Sequence, residues 1–412
     1  MKVYLVGGAV RDRLMNYPVK ERDWVVVGAT PEAMIKQGYQ KVGRDFPVFL
    51  HPNTREEYAL ARTERKTAPG YYGFECDASD QVTLEDDLKR RDLTMNAIAM
   101  DEQGTIIDPY HGVTDIQEKR LRHVSEAFIE DPVRVLRVAR FAARYHHLGF
   151  RLAPETRALM YGMVKRGELA HLVAERVWQE WCRSLEERNP EVFISTLRSC
   201  GALAVVLPEL DRLFGVPNPP QHHPEIDSGV HTLLVLQAAV ALTRDPMVRF
   251  AALVHDLGKA VTPMTRWPSH HGHEEAGVAL IDALCQRLRV PVEYRNLAAT
   301  VSRYHLIIHK FFDLRAVTML KVLEQTDAFR RPHLFDKLLI ACEADAKGRG
   351  RDIVYHQAQL WQNVRNECTK IAASDLIQQG FQGVAIKHEL HKRRTAAIKQ
   401  LLTSWKRDEK QH

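Results

Sequence analysis

The strongest constraint on the fold is a change of hydrophobic rhythm along the chain. Within the first ~110 residues four short apolar runs, KVYLVGG, DWVVVGA, FPVFLHP and EEYALAR, are each bounded by Gly, Pro, Asn or charged residues, which predicts strands alternating with helices. This part is expected to be an α/β domain. From LEDDLKRRDLTMNAIAM at 84 onward the spacing turns largely helical. The segment DPVRVLRVARFAARYHHL, 131–148, predicts an amphipathic helix with Pro132 just inside its start, where the missing N–H is least costly. Everything after it reads as mainly α. The Pro-rich stretch GVPNPPQHHPE at 215–225 reads as a linker, and HKRRTAAIKQLLTSWKRDEKQH closes the chain as a basic amphipathic helix with a charged tail.

With 412 residues, 45% of them hydrophobic and 27% charged, the chain has the make-up of a soluble globular protein of several domains. No run approaches the ~18 apolar residues of a membrane helix. Arg11, Asp12 and Arg13 interrupt the start where a signal peptide would be apolar, so a cytoplasmic protein with no membrane partner is expected. The net charge of +6 is compatible with a polyanionic partner without requiring one. Cys76, Cys182, Cys200, Cys285, Cys342 and Cys368 are scattered, with no C-x-x-C pair, and read as reduced, mostly buried thiols.

Chemistry gathers first around VYLVGGAVRDRL, which reads as strand, Gly-Gly turn and helix, a geometry that lets backbone N–H groups approach phosphate. Alone it is equally a tight turn, and the G-x-G-x-x-G spacing of a dinucleotide site is absent. The next strand is entered through Glu21-Arg22-Asp23-Trp24. Residues two apart on a strand share a face, so Glu21 and Asp23 pair their carboxylates beside the turn, as a divalent metal requires. A solvated strand edge is the alternative. Arg90-Arg91-Asp92 is expected on the first helical stretch, and Arg134, Arg137 and Arg140 form a ridge beside Val135, Val138 and Phe141. Such a ridge suits phosphates and base edges, or else is an ion-paired solvated face.

GGAVRD (7–12), the acidic pair at 21 and 23, RRDLTMNA (90–97) and EDPVRVLRVARF (130–141) stand in the order and spacing of class II nucleotidyltransferases. The chain resembles the bacterial tRNA CCA-adding enzymes of that superfamily over nearly its whole length. Glu21 departs from the pattern, giving E-x-D where the family usually has D-x-D. The resemblance implies that Gly8 and Arg11 hold the incoming nucleotide, that Glu21 and Asp23 are catalytic and bind Mg²⁺, and that Arg91, Arg137 and Arg140 contact nucleotide. Asp131 and Arg134 match the element that offers hydrogen bonds to the base edge of CTP or ATP, a pairing able to reject UTP or GTP.

In ALVHDLGK, His255 and Asp256 are adjacent on an apolar helix, with His231 upstream and His270, His271, His273 and His305 downstream. One buried histidine is ordinarily a core residue, but the combination resembles the HD phosphohydrolase superfamily. It implies that His255 and Asp256 are catalytic and that His231, His255, Asp256 and His305 hold a metal, with Asp327 or Asp345 completing the set. Imidazole ligands favour Ni²⁺, Co²⁺ or Mn²⁺ over Mg²⁺.

The expected organisation is an α/β nucleotidyltransferase head (1–140), a mainly α-helical neck and body that binds RNA (141–215), an all-α HD domain (228–329) and a C-terminal helical extension (330–412). The expected activity is addition of C, C and A to the tRNA 3′ end from CTP and ATP by a monomer, or alternatively a dimer. The HD domain is expected to act as a metal-dependent phosphatase, 2′-nucleotidase and 2′,3′-cyclic phosphodiesterase. A poly(A) polymerase, or an HD phosphohydrolase with a non-catalytic head, are the rival readings.

Overall fold

The computed structural model describes residues 1–19, 21–42, 48–66, 74–220, 225–349 and 353–408, with only the backbone at 64–66, 74–76 and 406–408. They form two compact units, Met1–Pro208 and Glu209–His412. Among the described residues no helix is long and apolar enough to cross a membrane.

The first unit opens with β1 (Lys2–Val6), β2 (Asp23–Val27), β3 (Gln40–Lys41), β4 (Val48–Leu50), β5 (Glu57–Leu60), β6 (Thr63–Lys66), β7 (Phe74–Asp77), β8 (Ala99–Met100) and β9 (Ile106–Ile107). The described strands pair into a sheet of order β3-β4-β5-β2-β1-β8-β9, with β6–β7 as a separate hairpin. All pairs in the main sheet are antiparallel except β2 with β5. Successive residues of β2 point to opposite faces. Val25 joins Val6, Leu88, Ala97 and Ala99 in one core, while Val26 joins Met34, Phe49, Tyr58 and Leu60 in another. A sheet covered on both faces holds its strand ends in place. Asp23 pairs directly with Val6, the residue before Gly7, so β2 begins opposite the start of the turn.

The segment from 84 is expected to be largely helical, with Arg90-Arg91-Asp92 on its first helical stretch, but the helix is shorter than that. Thr83 forms a capping box with Asp86, and the helix Leu84–Lys89 stops at Arg90. Asp92 accepts hydrogen bonds from the Leu93 N–H and the Asn96 side chain, both at 2.8 Å, which draws the chain out of helix. A single 3₁₀ turn follows, then β8 beside β1. Arg90, Arg91 and Asp92 therefore sit at and beyond a helix end. The arginine helix runs Val133–Tyr145, with Pro132 as its cap and Asp131 accepting from the Val133 N–H at 3.1 Å. It ends through a 3₁₀ turn at Gly149, whose φ of +90° suits a residue with no Cβ.

The second unit is helical. His231 lies on Ser228–Leu242, His255 caps Pro246–Val254, His273 opens His273–Leu288, His305 and His309 lie on Val292–His309, and Asp345 on Pro332–Lys347. The 215–225 stretch belongs to this unit, with 221–224 outside the described residues. It packs rather than spans: the Pro217 carbonyl lies 2.7 Å from His270 Nε2 and accepts its hydrogen bond, and Asn218 Oδ1 accepts from Lys259 Nζ and Ser228 Oγ, both at 3.0 Å. The C-terminal helix extends over Val384–Asp408, and the tail 409–412 lies outside the described residues. Cys200, Cys285, Cys342 and Cys368 are buried free thiols and Cys182 is half-buried; the Cys76 side chain lies outside the description.

Gly258 follows the His255–Asp256 pair, and a Cβ there would meet the His273 carbonyl oxygen at 1.9 Å and the Gly277 nitrogen at 2.6 Å. Neither backbone atom has room to yield. Gly258→Ala is expected to destabilise the second unit by about 1–3 kcal/mol, read as a lower urea midpoint at unchanged slope.

Candidate active site

The head holds a polar cavity of about 840 Å³. Its described lining includes Gly8, Arg11, Glu21, Asp23, Arg91, Asp131, Arg134, Arg137 and Arg140, every head residue expected from the sequence. Ten arginines line it against seven carboxylates, so its walls favour a polyanion.

The arginines are held from behind. Asp87, fully buried, accepts from Arg90 Nη2 at 2.6 Å and from Arg91 Nη2 at 3.0 Å. Burial opposes its ionisation, but the two guanidinium groups hold it below the usual carboxylate range. A second network is continuous: Asp12 accepts from Arg11 Nε at 2.8 Å, Arg11 donates to Asn96 Oδ1, Asn96 donates to Asp92, and Asp92 accepts from Arg137 Nε at 2.7 Å. Glu180 accepts from Arg140 Nε at 2.6 Å and lies 3.9 Å from Arg137. Arg140 also stacks over Phe141, 4.5 Å from the ring centre. The ridge is thus neither a solvated face nor a free one. Gly7 turns with φ +65°, and a Cβ there would stand 2.8 Å from Arg91 Nη1, so the turn can lie against the guanidinium only as glycine.

Glu21 precedes β2 and Asp23 begins it, both on the cavity wall. Among the described residues neither carboxylate has a hydrogen bond or ion pair. Burial raises the Asp23 pKa, Arg91 opposes this, and Glu21 raises it further by like-charge repulsion. Two unpaired, mutually repelling carboxylates fit a hard divalent cation such as Mg²⁺.

Asp131 is engaged by a residue that sequence reasoning missed. Arg176, 45 residues away, donates to both its oxygens at 3.1 and 2.8 Å. Arg134 donates to the carbonyls of Ala127 and Arg90, the latter at 2.7 Å, which fixes its plane at the cavity wall. Asp87, Asp92, Asn96, Asp12 and Glu180 were likewise outside the expected set. Asp12, Asp92 and Asn96 lie within the GGAVRD and RRDLTMNA motifs, and Asp87 stands at i,i+3 and i,i+4 spacing to Arg90 and Arg91, whereas Glu180 carried no sequence signal.

In the second unit His231, His255, Asp256 and His305 come together, and Asp345 completes the cluster. Asp327 instead pairs with Arg330 and Arg331. His231 Nε2 is 3.0 Å and His255 Nε2 3.6 Å from Asp345 Oδ1, and His255 Nε2 is 3.2 Å from Asp256 Oδ2. His273, His309 and Lys259 also belong: Lys259 Nζ is 2.6 Å from Asp256 Oδ2, and His309 Nε2 is 2.7 Å from Asp345 Oδ2. His270 bonds Thr262 and Pro217 instead.

His255 Nδ1 lies 2.7 Å from the Ala252 carbonyl and must donate to it, which leaves Nε2 as the electron-pair donor. His255 Nε2 and Asp256 Oδ1 are buried, and among the described residues their nearest partners are ion-pair contacts at 3.2 Å, to Asp256 Oδ2 and His273 Nε2, rather than well-formed hydrogen bonds. A transition ion bound by imidazole and carboxylate fits these atoms. Burial disfavours a charged His255, yet Asp256 and Asp345 overcome it and raise its pKa to about 10, so Nε2 keeps a proton until a cation displaces it, while burial drives His305 down to about 3.

Removing Asp87 strands two guanidinium groups over a buried gap. Asp87→Ala is expected to cost about 3–5 kcal/mol, measured by urea unfolding, with Asp87→Asn recovering part of it through hydrogen bonding alone.

Residues 3–122 match the family model of the Poly A polymerase head domain, 149–214 that of the probable RNA and SrmB- binding site of polymerase A, and 229–338 the HD domain. The multifunctional CCA protein of Legionella pneumophila is 66% identical over 410 residues, covering 100% of both chains. That of Teredinibacter turnerae is 58% identical over 406 residues, 98% of this chain and 99% of its own. The Thermotoga maritima CCA-adding enzyme complexed with tRNA shares the fold, with a TM-score of 0.60 at 19% identity over 98% of this chain and 91% of that one. This chain, a nucleotidyltransferase head followed by a helical body and an HD domain, belongs to the multifunctional CCA protein family.

Proposed function

We propose that the protein adds C, C and A in turn to the 3′ end of tRNA in the cytoplasm, using CTP and ATP. The observation that carries this is the arginine-lined head cavity with two unpaired carboxylates beside its Gly-Gly turn, in a chain whose relatives over their full length are named for CCA. The tRNA 3′-hydroxyl attacks the α-phosphate of the nucleotide and pyrophosphate leaves. Glu21 and Asp23 would hold Mg²⁺, which supplies charge stabilisation at the attacking and leaving oxygens. Arg11, Arg91, Arg137 and Arg140 bind the triphosphate, and their buried carboxylate partners keep them in place before it arrives. Asp131 and Arg134 face the base edge, Asp131 oriented by Arg176 and Arg134 by two carbonyls, so the choice of base rests on rigid groups. The HD cluster would hold Ni²⁺, Co²⁺ or Mn²⁺ and hydrolyse 2′,3′-cyclic phosphates, 2′-phosphates or terminal phosphates at damaged tRNA ends.

The test for the head is to incubate tRNA lacking its 3′ end with each labelled nucleotide and sequence the product. Ordered C, C, A ends are expected, whereas runs of A would make the enzyme a poly(A) polymerase. Asp23→Asn should lower addition roughly a hundredfold or more, since a lost metal ligand forfeits several kcal/mol of charge stabilisation. Glu21→Asp, which keeps the charge, should retain activity; near-normal CTP incorporation by Asp23→Asn would refute the metal assignment.

The two chemistries use separate residues, so each should fail alone. His255→Ala with Asp256→Ala is expected to abolish hydrolysis of 2′,3′-cyclic nucleotides and p-nitrophenyl phosphate while CCA addition persists. Metal-dependent hydrolysis surviving in that variant would reduce these residues to core packing.

A further inference from the structure

The helix Val133–Tyr145 carries an aromatic residue among its arginines. Phe141 reads in the sequence as one more apolar position beside Val135 and Val138, yet it lines the head cavity while only 4% exposed. Three guanidinium carbons stand over its ring: that of Arg140 at 4.5 Å from the centre, that of Arg11 at 5.4 Å and that of Arg137 at 5.8 Å. Arg11 comes from a different helix, Gly8–Leu14. Tyr145, one turn further on, lies parallel to Phe141 at 6.1 Å and 6°, with Arg11 and Arg144 over it at 5.2 and 5.3 Å. Its hydroxyl donates to Asp12 Oδ1 at 3.1 Å, which ties the neighbouring ring to the Arg11 helix.

Three like charges over one ring call for a physical reason. Asp12, Asp92 and Glu180 each answer one of them, at 2.8, 2.7 and 2.6 Å. Further carboxylates on the cavity wall would repel an incoming triphosphate. The face of a benzene ring offers a cation negative potential without net charge, within about 6 Å and more strongly where water is excluded. A ring can therefore gather guanidinium groups and leave both their remaining N–H donors and their charge to an anion.

We propose that Phe141 is a positioning residue for nucleotide binding: its ring holds Arg11, Arg137 and Arg140 together where the triphosphate, and after reaction the pyrophosphate, is bound. The inference rests on the nucleotide reading of the head cavity and adds a neutral residue to it. Packing alone would ask only for an apolar side chain of about the same size at this position. The cation–π account asks for the electrons of the ring as well.

The test uses the full-length chain with the phenylalanine at 141 replaced by its mono-, di- and trifluorinated forms, which drain the ring face of electron density at nearly constant shape. Phe141→Leu is made alongside them. Kd values for CTP, ATP, UTP and pyrophosphate are measured by equilibrium titration at fixed Mg²⁺. Affinity for CTP, ATP and pyrophosphate should fall stepwise along the series, by roughly tenfold in all, the loss of one desolvated cation–π contact. The preference for CTP over UTP should stay constant, since Asp131 and Arg134 are held by other groups. Phe141→Leu should bind no better than the trifluorinated form, and circular dichroism melts identify any variant that unfolds; the fluorinated series decides the matter if Phe141→Leu does not fold. Affinities that stay flat along the series, parent-like binding by Phe141→Leu, or a CTP preference that erodes in step with affinity each overturn the proposal and leave Phe141 as packing. A parent chain that binds neither CTP nor ATP refutes the nucleotide reading itself, and the proposal with it.

Discussion

Gathering guanidinium groups around one cavity sets the problem that the first unit is built to solve. Like charges so placed repel, and several are mostly desolvated, so each needs an anion behind it that leaves its other N–H groups aimed inward. Asp87 under Arg90 and Arg91, Asp92 under Arg137, Glu180 under Arg140 and Asp12 under Arg11 are those anions. The arrangement ties residues 11 to 180 of the chain into one network. The helix Val133–Tyr145 and the broken segment after Lys89 must therefore pack together for Arg137 to reach Asp92 and Arg134 the Arg90 carbonyl.

The parts of this that could be read from sequence were those with local periodicity or a short motif. Strands β1 and β2, the Gly-Gly turn and the arginine helix follow from apolar alternation and i,i+3 spacing. The end of the helix at Lys89 did not, because it depends on Asp92 bonding Leu93 and Asn96, a competition that residue patterns do not reveal. Arg176 on Asp131 and Glu180 on Arg140 join residues 40 or more apart, and nothing in the intervening chain marks them. The arginines and carboxylates on the cavity were legible as residues; the partners that orient them were not.

The second unit shows the same division. The H…HD…H pattern identified His231, His255, Asp256 and His305, but not which aspartate joins them, since Asp327 and Asp345 are equally plausible in sequence. Packing decides: Asp327 turns to Arg330 and Arg331 on the surface, while Asp345 is buried among imidazoles. Histidines bound through Nδ1 to carbonyls have their tautomer set by the backbone, so the helices impose chemistry as well as position.

The Pro-rich stretch has a consequence for what counts as a portable module. The HD match begins at residue 229, yet Asn218 and Glu225 already contact the cluster, Asn218 Oδ1 accepting from Lys259 Nζ and Glu225 standing 2.7 Å from His231 Nδ1. Part of the wall around the histidine-aspartate cluster is thus encoded ahead of the residues that match the HD domain. Any recombination joint placed at the homology edge would carry the clustered histidines and aspartates to a new host and leave Asn218 and the Glu225 carboxylate behind.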